Sequence, residues 1–161
     1  MSTSPVSIGL SGVRPVLSVT GAFAVPFTAY FLLLSGRVVQ CRLRDQTLLG
    51  HGGAPSSKRT GADDDGPESL LVAARSHANF VEYVPWAFVL STIVELNGGD
   101  KRILGAGLGS LLAFRVLHTE FGLRRPGAAG TGRQVGFFGT VGALGFFAGY
   151  ITWLVREDWG F

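Results

Sequence analysis

The sequence predicts an all-α fold, an integral-membrane bundle of four up-and-down helices. Of the 161 residues, 47% are hydrophobic and only 16% are charged, which is too apolar for a soluble domain of this size. The apolar residues form long blocks, as membrane-spanning helices do. Two of the three connections between the blocks are short, which favours antiparallel neighbours in an up-down-up-down bundle.

The apolar blocks define one helical domain over residues 1–161. We place its four helices at about residues 15–39, 70–96, 101–122 and 133–155. Residues 40–69 form the one long polar connection, which is rich in Gly, Pro and Ser and is expected to be a loop. Pro26 is expected to bend the first helix. The single cysteine, Cys41, excludes an intrachain disulfide, and the spacing of His, Cys and acidic residues predicts no metal site.

Glycines recur along the last two helices at helical spacing. Small residues let membrane helices approach one another closely, so these positions predict packing surfaces. The positions are Gly136, Gly139, Gly142, Gly145 and Gly149 on the fourth helix, and Gly105 and Gly109 on the third.

The distribution of basic residues indicates topology rather than nucleic-acid binding. The net charge is +3, but the basic residues flank apolar blocks and form no nucleic-acid-binding module. Eight Lys or Arg residues lie near the two connections on one side, and four lie on the other. The positive-inside rule therefore places those connections in the cytoplasm. We expect a multi-pass integral membrane protein. Its membrane would be of the endoplasmic reticulum type in a eukaryote or the inner membrane in a bacterium.

One polar stripe precedes the most apolar part of the second helix, in the stretch RSHANFVEYVP from Arg75 to Pro85. At 100° per residue, Arg75, Asn79 and Glu82 lie within about 60° of one another on a helix. Ionisable groups in a membrane helix are costly, so they face a partner, a cavity or a ligand. The alternative is a structural role, with Arg75 reaching the interface and Glu82 paired to an arginine.

In the predicted topology, charged side chains of all four helices converge in one leaflet. They are Arg37, Arg42, Arg44, Arg75, His77, Glu82, Arg115, His118, Glu120 and Arg133. Several arginines and an embedded glutamate suit a small, mainly anionic ligand that also carries an ammonium group. An arginine beside a thiol favours the thiolate nucleophile. Glutathione has two carboxylates, an α-amine and a thiol, and so has all of these features.

The stretch RSHANFVEYVP closely resembles the second-helix signature of the MAPEG superfamily, the membrane-associated proteins in eicosanoid and glutathione metabolism. Arg75, Asn79, Glu82 and Pro85 stand where that motif has its arginine, asparagine, glutamate and proline. Shorter matches occur in the expected order and spacing. They are QCRLR after the first helix, LGHGG in the loop, RVLH in the third helix and RQVG at the start of the fourth.

The resemblance implies a homotrimer that binds glutathione as co-substrate between subunits, near the cytosolic face. It implies a membrane-bound glutathione transferase, with glutathione-dependent peroxidase activity as an additional expectation, acting on lipophilic small molecules from the surrounding lipid. The implied catalytic residue is Arg133, which would polarise the thiol. The implied glutathione-binding residues are Arg75, Asn79, Glu82, Tyr83, Arg115 and His118, with Arg42 and Arg37 from the adjacent subunit.

Two departures from the family pattern keep other functions open. Members commonly carry a tyrosine a few residues after the RxxH unit, whereas this chain has Phe121, which cannot donate a hydrogen bond. The first loop also carries an insertion at about residues 54–67. A second hypothesis is therefore a non-catalytic lipid-binding or scaffold protein of the same architecture. A third is a small transporter or channel subunit, although the sequence shows neither paired broken helices nor an internal repeat.

Overall fold

A computed structural model describes residues 16–46, 69–125, 130–158 and 160, and no strand occurs in this part of the chain. The helices are α1 (Ser18–Arg44), α2 (Leu70–Leu96), α3 (Lys101–His118) and α4 (Thr131–Val155). A π-helical segment, Thr119–Leu123, continues α3. The all-α class is confirmed. The insertion at about residues 54–67 lies outside the described residues.

Helix boundaries follow from local capping. The Ser69 hydroxyl accepts a hydrogen bond from the Val72 amide at 3.3 Å and caps α2. Asp100 caps α3 in the same way by accepting from Ile103 and Arg102. The pKa of Asp100 lies below its ordinary value, because these two N–H groups stabilise the ionised carboxylate. The Ile103 amide contributes most, followed by the Arg102 amide. The first helix extends to Arg44, beyond the predicted end at residue 39, so QCRLR forms its last turn.

The four helices form a four-sided bundle. Helix α3 packs most extensively on α4 and α1 on α2, while α2–α4 and α1–α3 contacts complete the remaining sides. The order around the bundle is therefore α1, α2, α4, α3. Antiparallel packing places the end of α1 beside the start of α2, where Cys41 contacts Leu70 and Ala73. We call this the polar end of the bundle, because the predicted charged residues lie toward it.

Two larger apolar clusters fill the bundle interior, in addition to the contacts of Cys41 at the polar end. One lies toward the polar end and the middle, and the other toward the opposite end. The first contains Phe27, Leu34, Phe80, Val84, Ala87, Leu111 and Ala143, and the second contains Val94, Leu104, Leu108 and Phe147.

Glycines bring α3 and α4 into close contact, but not all of the predicted ones do so. A Cβ on Gly136 would lie 2.5 Å from both the Phe114 carbonyl oxygen and the His118 Cβ. Gly139 packs directly against the Phe114 ring. By contrast, Gly142, Gly145 and Gly149 have nothing within 4 Å of an added Cβ. These three glycines face outward and make no close packing contact within the bundle, so the packing surface predicted for them stays a prediction.

A buried carboxylate from α2 caps the start of α1. Glu95 accepts hydrogen bonds from the backbone amides of Val19 and Thr20, both at 2.8 Å, and from the Ser18 hydroxyl at 3.3 Å. Helix α1 has no side-chain cap of its own. Its first amide groups would otherwise lack partners, so Glu95 supplies both acceptors and a negative charge at the positive end of the helix.

Two of the helices are long and apolar enough to cross a membrane by length and composition, namely α1 and α4. Helix α2 carries Arg75, Glu82 and Glu95, and α3 carries Arg115 near its end. These charges lower the apolar character of the two middle helices, which nevertheless pack alongside α1 and α4 over their length.

We expect Gly136→Ala to destabilise the bundle by about 1–3 kcal/mol, because the added methyl group overpacks the α3–α4 contact. The matched control is Gly142→Ala, which should be neutral or stabilising, since its Cβ enters open space and alanine favours helix by about 1 kcal/mol. The measurement is the free energy of unfolding in mixed detergent micelles. Equal stabilities for the two variants would contradict the close contact.

We expect Glu95→Gln to cost about 1–3 kcal/mol, because the neutral amide is a weaker acceptor and loses the charge that faces the N-terminus of α1. Glu157→Gln is the control, since that side chain is 83% exposed and, among the described residues, pairs with its neighbour Arg156 at 3.3 Å. Thermal unfolding in detergent checks both variants. If Glu95→Gln unfolds at the wild-type temperature, the cap contributes nothing.

Candidate functional site

The buried guanidinium of Arg115 lies at the centre of the predicted polar residues. Its side chain is 2% exposed. Its Nη1 donates to Asn79 Oδ1 at 2.5 Å, and its Nη2 donates to the Gly136 carbonyl oxygen at 3.0 Å. The guanidinium carbon lies 5.1 Å from the centre of the Tyr83 ring, within the range of a cation–π contact. Arg115 therefore joins α3 to α2 and to α4.

No carboxylate pairs with Arg115 among the described residues. A buried cation is costly unless its N–H groups are satisfied. Here an amide oxygen, a backbone carbonyl and an aromatic face serve instead of an acid. Its Nε has no partner in the described part of the chain.

The contacts of Arg115 continue on the outside of the bundle along the boundary between α2 and α4. Tyr83 meets Phe137 edge to face, with ring centres 6.4 Å apart. Arg133 lies one turn before Phe137 and so shares its flank of α4. His118 Nδ1–H donates to the Arg133 carbonyl oxygen at 2.9 Å and fixes the start of that helix. We define the α2/α4 crease by Asn79, Tyr83, Arg115, Arg133 and Phe137.

Arg75 and Glu82 lie beside this crease on the outer face of α2, and both are exposed. No hydrogen bond or ion pair to either is found within the described ranges of the chain. The alternative of an ion pair between Arg75 and Glu82 is therefore not observed in a single subunit. Both charges face outward from their own subunit.

The two arginines expected from an adjacent subunit lie on different flanks of α1. Arg37 Nη1 pairs with Glu120 Oε1 at 2.6 Å, on the side that faces α3. Arg42 is half-buried and lies on the opposite flank, roughly 140° away on a helical wheel. Among the described residues, Arg37 gives its hydrogen bond to Glu120 and none to the crease of its own chain. Their contribution from a neighbour stays a prediction.

Glu120 has a larger structural role than its sequence position indicates. Its carboxylate accepts from Arg37, from Arg124 and from the Tyr30 hydroxyl, the last at 3.2 Å. The signal that could have shown this is the i, i+4 spacing of Glu120 and Arg124. By contrast, His77 packs against an aromatic residue of α1, with its ring 5.2 Å from that of Phe31.

The π-helical segment had no signal in the sequence. Its extra residue per turn is seen in the bond from the Arg124 amide to the Thr119 carbonyl, at 3.0 Å. Phe121, which stands where the family has tyrosine, is exposed within this segment and lies under Arg125 at 5.6 Å. Single-turn π segments often occur at functional sites.

Two apolar grooves lie on sides of the bundle other than the crease. The α1/α2 groove has a volume of about 310 Å³ and contains the rings of Phe27, Phe31, Phe80 and Phe88. The α1/α3 groove has a volume of about 360 Å³ and includes Tyr30. The described residues contain no cluster of three or more metal-binding side chains.

Comparison with known proteins identifies the family of this chain. The sequence model of the MAPEG family matches residues 20–153. The inner membrane protein YecN of Escherichia coli strain K12 is 30% identical over 100 residues, and so is YecN of E. coli O6:H1 strain CFT073. Each match covers 62% of this chain and 66% of the relative, just under two thirds of its length.

No solved structure matches this chain significantly. The family match nevertheless extends from the start of α1 almost to the end of α4 and includes the whole crease. The relative is an inner membrane protein by name, and two helices of this chain are apolar enough to span a bilayer. The chain belongs to the MAPEG family and is a membrane protein.

Proposed function

We propose that this protein is a multi-pass membrane glutathione transferase that works as a homotrimer. Glutathione would bind in the α2/α4 crease, closed by an adjacent subunit. The observation that carries the proposal is the outward display of Arg75 and Glu82 beside a crease organised by buried Arg115. Within one subunit, neither exposed charge is neutralised by another described residue.

The membrane environment makes those two charges expensive. If α1 and α4 span the bilayer, α2 and α3 cross it too, because they pack alongside them. A charge at the centre of a membrane helix costs roughly 2.5–3.5 kcal/mol on insertion scales, and less near the interface. Contact with a second subunit and with a charged ligand would remove much of this cost.

The chemistry of the crease suits glutathione. Arg75 would hold a carboxylate through a charge-assisted, bidentate contact, and Glu82 would bind the ammonium group. Asn79 and Tyr83 would supply neutral hydrogen bonds. From the adjacent subunit we retain Arg42 and leave out Arg37, because Arg37 pairs with Glu120 on the other flank of α1.

Arg133 is the proposed catalytic residue. Its guanidinium would stabilise the glutathione thiolate, with the thiol proton passing to solvent. The sulfur then attacks an electrophilic carbon of a lipophilic substrate, forming a C–S bond as the leaving group departs with its electron pair. The apolar outer surface of the bundle would deliver such a substrate from the lipid.

Arg115 and His118 are proposed as positioning residues rather than direct ligands. The two Nη atoms of Arg115 are already bonded to Asn79 and to the Gly136 carbonyl. His118 Nδ1 is bonded to the Arg133 carbonyl. Each therefore orients a neighbour, Arg115 the amide of Asn79 and His118 the helix start that carries Arg133.

Phe121 favours a second candidate function, a glutathione-binding or lipid-binding scaffold without catalysis. The exposed phenyl ring cannot donate a hydrogen bond to sulfur.

The location we propose is the inner membrane of a bacterium, because the relative YecN is named an inner membrane protein. The polar end of the bundle would face the cytoplasm.

We expect glutathione to raise the unfolding temperature of the purified protein, and Glu82→Gln to weaken binding about 10- to 100-fold, since a charge-assisted bond of roughly 1.5–3 kcal/mol is lost. Arg133→Ala should lower kcat with a chromogenic electrophile at least about tenfold and keep the stabilisation by glutathione. Glu157→Gln is the matched control for Glu82→Gln.

The two measurements separate the two functions. Stabilisation by glutathione without turnover above that of Arg133→Ala would support the scaffold. If glutathione produces no stabilisation and no turnover is measured, glutathione is rejected as the ligand of the crease.

A further inference from the structure

The α1/α3 groove lies on the side of the bundle opposite to the α2/α4 crease, given the order of helices around it. It opens outward and has a volume of about 360 Å³. Its lining is almost entirely apolar and consists of Pro26, Ala29, Tyr30, Leu33, Leu112 and Val116. If the crease meets an adjacent subunit, this groove faces lipid.

The groove changes from apolar to charged at the same level on both of its helices. On α1, Leu33 is followed one turn later by Arg37. On α3, Val116 is followed at four-residue steps by Glu120 and Arg124. The ion pair from Arg37 to Glu120, 2.6 Å long, shows that the two changes lie side by side.

The charged end of the groove carries an excess of positive charge. Glu120 is shared by Arg37 and Arg124, so two guanidinium groups lie beside one carboxylate. A guanidinium has five N–H donors, and among the described residues Arg37 gives one hydrogen bond, to Glu120. The Arg37 side chain remains 22% exposed. An anion can therefore approach it.

The distance along α1 from the inner end of the groove to Arg37 matches one leaflet of a bilayer. Eleven residues separate Pro26 from Arg37, which is about 16 Å of helix. Half of a typical hydrocarbon core is about 15 Å. A chain lying along the groove would thus place its head at Arg37 and its end near Pro26.

We propose that the α1/α3 groove binds an anionic phospholipid, with one acyl chain in the groove and the phosphate at Arg37. The occupant needs both a long apolar part and a negatively charged head. A free anion lacks the apolar part, and a zwitterionic lipid lacks the net negative charge. The cytoplasmic leaflet, toward which the positive-inside rule directs this end, is the one enriched in anionic lipid. The site is separate from the proposed glutathione site and does not depend on it.

The test measures unfolding temperature in dodecyl maltoside micelles as dioleoyl phosphatidylglycerol or dioleoyl phosphatidylcholine is added. We expect phosphatidylglycerol to reach half of its maximal effect at a concentration at least about fivefold lower than phosphatidylcholine does. The difference comes from the attraction between the anionic head and one arginine. Glycerol phosphate alone is the third arm, and it should not reproduce the effect.

Two variants test the two parts of the site separately. Ala29→Trp should fill the groove and abolish the preference for phosphatidylglycerol over phosphatidylcholine. It leaves Arg37, Glu120 and Arg124 at the charged end of the groove unchanged. Ala22→Trp is its control, because Ala22 is also exposed, lies two turns earlier on the same face of α1 and does not line the groove. Arg37→Gln should remove the preference for the anionic head and leave the common effect of both lipids.

Equal effects of the two lipids on the wild-type protein would overturn the proposal. So would an unchanged preference in Ala29→Trp, or stabilisation by glycerol phosphate to the same extent. If Arg37→Gln proves too unstable to measure, the Ala29→Trp and Ala22→Trp pair still decides the outcome.

Discussion

Arg115 is a buried cation that the bundle satisfies with an amide oxygen, a backbone carbonyl and an aromatic face. Gly136 makes this possible, because only a residue without a side chain lets the α4 backbone come so close to α3. The contact fixes Asn79 on α2 and the first turns of α4 relative to one another. Since none of the described carboxylates is used to neutralise Arg115, Glu82 remains on the outer surface, where a ligand or another subunit can meet it.

Helix α1 is held at its two ends by carboxylates from other elements. Glu95 of α2 caps its N-terminus, and Glu120 of the π-helical segment pairs with Arg37 one to two turns before its end. Helix α1 packs on α3 less extensively than it does on α2, so these polar contacts matter for its position. That position decides where Arg42 lies, and therefore what α1 can offer to an adjacent subunit.

The sequence predicted the helical class, the starts of α2 and α3 and the polar stripe of α2, because turn residues between apolar blocks and charges in apolar helices are strong local signals. It did not predict which way Gly142, Gly145 and Gly149 face, since lipid-facing and core-facing sides of a membrane helix are both apolar. The inward role of Arg115 and the cluster around Glu120 were missed for another reason. Apart from the i, i+4 pair of Glu120 and Arg124, both depend on partners far apart in the chain, which helical spacing does not identify.

The sides of the bundle have different surroundings in the proposed trimer, and this constrains how the trimer closes. The crease occupies the α2/α4 side, and Arg42 lies toward the neighbouring α1/α2 side. Two different contact surfaces on one subunit make a heterologous interface, which forms a closed ring only if the rotation between copies returns to the start. The α2/α4 side and the α1/α2 side share α2, so both contact surfaces lie on the same half of the subunit. In a ring of three subunits the two contact surfaces of each subunit must both face toward the ring axis. Helix α2 would then face the ring axis, and the α1/α3 groove would face the lipid.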